Sequence, residues 1–313
     1  MRDITLKHLR ILGAIARTRR ISGAADALGV TPPAVTLQLK QLETMVGLPM
    51  FERTREGMRL TDAGGALLAS AQRIEAELAA CSEDFETMRG LSHGSVSIGV
   101  VSTAKYFAPA ALGAFKKEHP EIELRLFVGN RQEVIHALSA LEFDVVVMGR
   151  PPEGVPVLSA VIGDHPHVVI APPDHPLARR RRIPLATLAA EVFLTREPGS
   201  GTRMLMERLF AEANLAWRAG MEVDSNETIK QAVMARLGVA FISAHTIAAE
   251  IESRRLVVLD VANLPVRRQW QVVRHADKRL MPAALALWEF LVRKGSTFLP
   301  SRPARARSGR GSR

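Results

Sequence analysis

Residues 21–43, ISGAADALGVTPPAVTLQLKQLE, decide the reading of this chain. The stretch resolves into two short helices joined by a tight turn. Ser22 is a side-chain acceptor suited to cap the first helix, and Ala24 and Ala25 are small enough to let a second helix cross closely. Gly29 ends the first helix without steric cost and Val30 tucks inward. Thr31 caps the second helix, and Pro32 and Pro33 fall in its first turn, where a missing N–H costs little. In that second helix Val35, Leu39 and Leu42 recur at i, i+4 and i+7 and face a core. Pro33, Thr36, Leu37 and Lys40 then point outward, with Thr31 at the start of the same face. A face of this kind fits a major groove.

Working outward, Leu6, Leu9, Ile11, Leu12 and Ile15 give a preceding helix its apolar side, with Thr5 as its cap. Gly47 closes the second helix of the motif. Residues 51–60, FERTREGMRL, read as a hairpin with Glu56-Gly57 at its tip and Arg53, Arg55 and Arg59 along its arms, where guanidinium groups meet phosphates. The first sixty residues carry ten Lys or Arg against five Asp or Glu, a net of +5. That is the sign needed to displace counterions from a duplex. The same helical shape also arises as plain packing in all-helical proteins; the basic wing favours nucleic acid.

At 313 residues and 47% apolar composition the chain suits two or three globular domains. It contains no apolar run of about 18 residues and its N-terminus lacks the apolar centre of a secretory signal, which points to the cytoplasm and away from a membrane. Cys81, the single cysteine, can make neither an internal disulfide nor a multi-cysteine zinc site, and Leu78 and Ala79 beside it suggest a packed helix surface. No metal is expected. Of the +10 net charge, five arginines lie in the last thirteen residues, so 300–313 reads as a disordered basic tail. Arg179 to Arg182, between Pro176 and Pro184, read as an exposed loop.

Residues 61–88 form a long helical pattern with Leu67, Leu68, Ala71, Ile74, Leu78, Ala79 and Phe85 on one stripe. A helix of about 40 Å that links two domains with such a stripe pairs most naturally with its copy in a second chain. From Gly94 onward short apolar runs alternate with helical patterns. Strands at 95–101, 123–128 and 144–148, with helices near 105–118 and 132–141, make βαβαβ with a parallel sheet. A second series follows: strands near 167–171, 192–195, 221–223 and 239–242, helices near 203–214, 227–236 and 244–251, a returning strand at 270–274 and a closing helix at 278–293. The expected architecture is α/β: a winged helix-turn-helix over 1–61, a linker or dimerisation helix over 62–92, and a two-lobed α/β effector-binding unit over 93–299.

These residues resemble a known family. At Ala24, Ala25, Leu28, Pro33, Ala34, Val35, Leu42, Glu43, Gly47, Phe51, Arg53, Leu60, Thr61, Ala63 and Gly64, and over nearly its whole length, the chain is similar to LysR-type transcriptional regulators. The resemblance implies a winged helix-turn-helix, a linker helix and a two-lobed effector unit like the type 2 periplasmic binding proteins. It also implies a tetramer built as a dimer of dimers on promoter DNA, a small-molecule effector and contact with RNA polymerase. Within the family, VGNRQEVIHALSALEFDVVVMGRPP and TREPGSGTR are similar to regulators of the Calvin-cycle carbon-fixation operons, which implies an activator answering to NADPH or a phosphorylated sugar. Control of another catabolic or biosynthetic operon is the alternative. One departure stands out: the family usually carries glutamine where this chain has Pro32, which offers no bond to a base edge, so readout passes to neighbouring residues or to DNA shape.

If two lobes close on a ligand, its polar partners come from strand ends and helix N-termini facing the cleft. Ser102 and Thr103 follow the first strand. In the second lobe TREPGSGTR, Thr195 to Arg203, offers close backbone approach at Gly199 and Gly201, hydroxyls at Ser200 and Thr202, and a guanidinium fork at Arg203. The bland alternative is a glycine-rich strand-to-helix connection capped by Ser200. Asn130, Arg131, Gln132, Arg150 and Asn226, the last as cap of the helix near 227, are further candidates for the same cleft. An enzyme using His165, His167 or His175 as base is disfavoured, because no Ser/Cys, His, Asp arrangement assembles around them and their spacing lacks the geometry of a metal site. A solute-binding protein is disfavoured by the missing export signal.

Overall fold

The computed structural model describes residues 3–88 and 94–300. The expected basic tail lies, apart from Pro300, outside the described residues. The chain divides into two compact units, Met1–Leu91 and Ser92–Arg313.

In the first unit α1 (Leu6–Thr18), α2 (Ile21–Leu28) and α3 (Pro32–Val46) precede a hairpin of β1 (Phe51–Thr54) and β2 (Gly57–Leu60), and α4 (Asp62–Met88) follows. Thr5 caps α1 in a reciprocal box with His8, which satisfies donors the first helical turn would leave open. Gly29 and Gly47 end α2 and α3 with φ of 64° and 78°, a region that costs other residues a steric penalty. Val35, Leu39 and Leu42 join Leu12, Ile15, Ala24 and Ala25 in a buried cluster. The zero exposure of Ala24 against 1% for Ala25 shows how closely the helices cross.

Several local expectations need correction. Arg20, not Ser22, occupies the cap position of α2, and neither it nor Thr31 makes a side-chain capping bond. Val30 is 37% exposed and does not tuck inward, and Leu6 is 38% exposed. The hairpin tip is Arg55-Glu56, since Gly57 pairs with Thr54; Arg55 is therefore in the turn and not on an arm. Gly57 is required because its φ is +121° and a Cβ would meet the Arg19 carbonyl oxygen at 2.6 Å. Cys81 is exposed, not packed.

The second unit is one nine-stranded mixed sheet with helices packed on it. Its first lobe contains β3 (Ser95–Val101), a short 3-10 turn, α5 (Ala108–Glu118), β4 (Glu123–Gly129), α6 (Arg131–Ser139) and β5 (Val145–Met148). β4, β3 and β5 are parallel in that order, as the βαβαβ pattern requires. β6 (Val157–Ala171) then crosses to the second lobe, whose elements are α7 (Leu185–Ala189), β7 (Val192–Arg196), α8 (Gly201–Glu212), β8 (Arg218–Val223), α9 (Asn226–Met234), β9 (Val239–Ser243), α10 (Ala248–Glu252) and β10 (Val257–Val258). β11 (Val266–His275) returns antiparallel to β6 along its whole length and also pairs with β5, and α11 (Pro282–Lys294) closes the first lobe. The first lobe has one large core around Phe115, Trp270 and Phe290. The second has two, on opposite faces of its sheet, one around Phe193 and Phe210 and the other around Ile229 and Ile242. β6 and β11 are thus the two strands shared by both lobes. Both run longer than sequence periodicity suggested: β6 begins at 157, not 167, and β11 at 266, not 270.

Candidate functional site

In the N-terminal unit, Thr31, Pro33, Thr36, Leu37 and Lys40 all lie on the exposed side of α3, opposite Val35, Leu39 and Leu42. The Thr36 hydroxyl donates to the Pro32 carbonyl at 3.0 Å, leaving its oxygen lone pairs as acceptors. Leu37 is 56% exposed, an apolar group in a polar face, suited to a thymine methyl. Gln41, missed in the sequence reading, shares this face and accepts from Gln38 at 2.6 Å; continuing the spacing from Leu37 by four would have found it. On the wing, Arg53 and Arg55 are exposed with no carboxylate partner among the described residues. Arg59 is engaged with Glu52 at 2.5 Å, and must release it to reach a phosphate.

In the C-terminal unit a cavity of about 340 Å³ opens between the lobes. Ser102 and Thr103 line it from the end of β3, Arg131 from the first turn of α6, Arg150 from the loop after β5, and Ser200, Gly201 and Thr202 from the start of α8. Ser200 makes no side-chain capping bond, so the first-turn N–H groups of α8 and their partial positive charge are open to a ligand. Arg131 donates to the carbonyl oxygens of Arg150 at 2.5 Å and Pro151 at 3.3 Å. No carboxylate is hydrogen-bonded to it among the described residues, and Glu153, which pairs with Arg150, attracts it only through space. Burial and the charge of Arg150 push its pKa below the usual guanidinium value, against the opposing pull of the Glu153 carboxylate, so its charge is only partly compensated.

The other candidates stand outside the lining. Thr195 is buried in β7, in register with Glu222. Gln132 and Gly199 meet each other: the Gln132 N–H donates to the Gly199 carbonyl at 3.3 Å. Asn226 is not the cap of α9, which is Ser225. It is buried, accepts from Arg196 at 2.5 Å and donates to the Ser102 carbonyl at 3.3 Å, joining the lobes behind the pocket. Arg203 is already committed to Glu207 at 2.8 Å, Glu222 at 2.5 Å and the Arg196 carbonyl at 3.0 Å. Its fork is not offered to an anion. Arg203→Ala should therefore leave ligand affinity within about two-fold by calorimetry and cost at most about 1 kcal/mol of stability, as partly exposed pairs do.

Sequence reasoning missed His165, His167, Gly149, Arg208 and Arg268, all of which line the cavity. His165 and His167 stand two apart on β6, on one face, and Arg268 is the β11 partner of His165. That i, i+2 spacing was the available signal. Both imidazoles are buried, as is His245. Burial, with neighbouring positive groups, pushes His165 well down, His167 to about 3 and, by burial, His245 to about 4. In the unfolded chain each takes up a proton below about pH 6.5, whereas the folded chain resists until far lower pH, so acid favours unfolding. Lowering the pH from about 7.5 to about 6 should cost roughly 1 kcal/mol per imidazole, read from urea unfolding of the full chain. A flat profile over that window would contradict their burial. Among the described residues no group of His, Cys, Asp and Glu is placed to hold a metal ion, and no helix is long and apolar enough to cross a membrane.

Comparison with known proteins agrees with this geometry. Residues 6–65 match the bacterial regulatory helix-turn-helix protein, lysR family, and residues 89–296 match the LysR substrate binding domain. The chain is 53% identical over 301 residues, 96% of its length and 90% of the relative's, to the HTH-type transcriptional regulator CbbR of Xanthobacter flavus. It is 45% identical over 289 residues, 92% of its length and 96% of the relative's, to the RuBisCO operon transcriptional regulator of Allochromatium vinosum. Among solved structures, the Synechocystis PCC6803 CcmR regulatory domain in complex with 2-PG covers 64% of this chain and 97% of its own, at 36% identity and a TM-score of 0.62. CbnR, a LysR family transcriptional regulator, matches 94% of this chain and 99% of its own with a TM-score of 0.61 at 21% identity, a likeness of fold. These relatives are named regulators, not enzymes. A DNA-reading helix with its wing, followed by an α/β unit with an effector pocket, makes this chain a member of the LysR family of transcriptional regulators.

Proposed function

We infer that this protein controls a carbon-fixation operon and answers to a compact phosphate-bearing anion held between its two lobes. The observation that carries the ligand class is Arg131, a half-buried guanidinium fixed by two backbone carbonyls, with no carboxylate hydrogen-bonded to it among the described residues, facing the open N-terminus of α8. The operon reading is supported by the Allochromatium vinosum relative, 45% identical and named a RuBisCO operon transcriptional regulator. CcmR, solved with 2-PG, supports a small ligand. A cavity of about 340 Å³ lies at the small end of the range of ligand pockets, roughly 300–1,000 Å³, which favours a phosphorylated metabolite of a few carbons over NADPH.

The DNA contacts we assign to Thr31, Pro33, Thr36, Leu37 and Lys40 for the groove and to Arg53, Arg55 and Arg59 for phosphates. We divide the chain into a DNA unit over 1–61, a linker and dimerisation segment over 62–92 whose described helix is α4, an effector unit over 93–299 and a basic tail. Along α4, Ile74, Leu78 and Phe85 are 43%, 43% and 55% exposed, a stripe suited to the same helix of a second copy and, through it, to a dimer of dimers in the cytoplasm on promoter DNA beside RNA polymerase. An effector changes promoter occupancy or bend only through different affinities for the two arrangements. The test is gel retardation and footprinting of the full chain on the intergenic region upstream of the neighbouring operon, with and without phosphorylated metabolites. Preference for a rubisco promoter and an effector-dependent footprint are expected. Equal binding to scrambled DNA, or a footprint unmoved by every phosphorylated metabolite tried, would overturn the assignment.

A further inference from the structure

The floor of the inter-lobe pocket carries a polar group that an anion held by Arg131 leaves unused. His165 sits on β6 with its ring stacked on Trp270, centroids 3.7 Å apart and planes at 16°. Its Nε2 lies 3.0 Å from the Ser243 hydroxyl. The Ser243 oxygen already accepts the His245 N–H at 3.4 Å, and among the described groups the acceptor left for the Ser243 proton is His165 Nε2. That count puts the imidazole proton on Nδ1. Nδ1 has no partner, although the side chain is 4% exposed and lines the cavity. A buried donor left open costs stability, so its survival calls for a function. Nδ1 is closed off from bulk solvent, and only glycine fits against it at residue 149: a Cβ there would come within 2.8 Å of Nδ1. Burial and the neighbouring His167 and His245 keep the ring neutral, so it adds a donor without adding charge.

We propose that His165 is a specificity-determining residue: its Nδ1–H donates to a second oxygen of the effector, and the pocket thereby selects compact anions that carry a carboxylate or hydroxyl beside the phosphate over simple phosphate monoesters. This rests on the anion reading of the pocket given above. Guanidinium groups and a helix N-terminus accept any phosphate, whereas a neutral donor at a fixed position rewards an oxygen placed to meet it and leaves a ligand without one at a disadvantage.

Calorimetry on the full chain with 2-phosphoglycolate and ethyl phosphate tests the assignment. The wild type should prefer 2-phosphoglycolate at least ten-fold. His165→Asn, whose amide nitrogen falls near Nδ1, should keep most of that preference. His165→Gln, whose amide reaches toward Ser243 instead, and Gly149→Ala, which sets a methyl group against Nδ1, should reduce it to two-fold or less. A merely structural imidazole predicts the reverse order, with Gln tolerated and Asn damaging, and that result, or an undiminished preference in all three variants, would overturn the proposal. Circular dichroism selects the folded variants, and Gly149→Ala provides the comparison should either His165 variant fail to fold. Arg131→Met separates the two levels: if it binds 2-phosphoglycolate like the wild type, or the wild type binds neither probe, the anion reading falls and this inference with it. If Arg131→Met loses binding but the His165 and Gly149 variants keep the preference, the His165 assignment falls alone.

Discussion

Leu37→Glu is expected to lower affinity for the promoter at least a hundred-fold while leaving the protein folded. Leu37 lies on the outer face of α3, 56% exposed, and takes no part in the cluster that Val35, Leu39 and Leu42 build. A surface substitution of this kind changes stability by about 0.5 kcal/mol or less, and glutamate is a good helix former. Its effect on DNA is of another order. The residue is flanked by Pro33, Thr36 and Lys40 on the face proposed to enter the groove, so a carboxylate there meets phosphates and base acceptors and loses the methyl contact an apolar side chain can make. Like-charge juxtaposition costs several kcal/mol, and a hundred-fold corresponds to about 2.7 kcal/mol. Anisotropy titration of a labelled promoter fragment reads the loss, and an unchanged melting temperature separates it from unfolding. Wild-type affinity in this variant would move the reading surface off α3.

The helix-turn-helix was legible because its determinants are local. Gly29 and Gly47 stop two helices, Pro32 and Pro33 start one, and a three-residue apolar stripe fixes its rotation, all within 27 residues. Where the reading failed, the decisive partner lay far along the chain. Arg203 looks like an anion fork until Glu222, nineteen residues on, takes it. Asn226 looks like a cap until Arg196 and Ser102 claim it from another strand and another lobe. β6 was found only from 167 because it passes between lobes: its first residues are largely exposed and its last ones buried on both faces, so no single alternation marks it as one strand. The chemistry of the pocket floor was hidden for the same reason. His165 gains its meaning from Ser243, Trp270 and Gly149, each on a different strand or loop.

Arg131→Met should weaken effector binding by at least thirty-fold and, at the same time, leave the effector unit as stable as before or slightly more so. The guanidinium is held by the Arg150 and Pro151 carbonyls, in surroundings that disfavour its charge. Without ligand, that is a cation only partly compensated, by Glu153 through space, and kept partly out of water; methionine fills the same stem volume without the desolvation penalty. With a phosphate in the pocket the balance reverses. Truncating one partner of a desolvated, hydrogen-bonded charge pair costs about 2–5 kcal/mol, of which the lower end already amounts to about thirty-fold. Arg131→Lys should lie between, because an ammonium keeps the charge but cannot hold two carbonyls and an anion in one plane. The opposed signs are the diagnostic: a residue that merely braces the fold would lose stability and affinity together, whereas a binding residue stores strain that the ligand relieves. Thermal denaturation and a promoter fusion, run on the same three proteins, read both quantities. A metabolite response undiminished in Arg131→Met, or a fall in its melting temperature in step with the lost response, would show that the anion is held elsewhere.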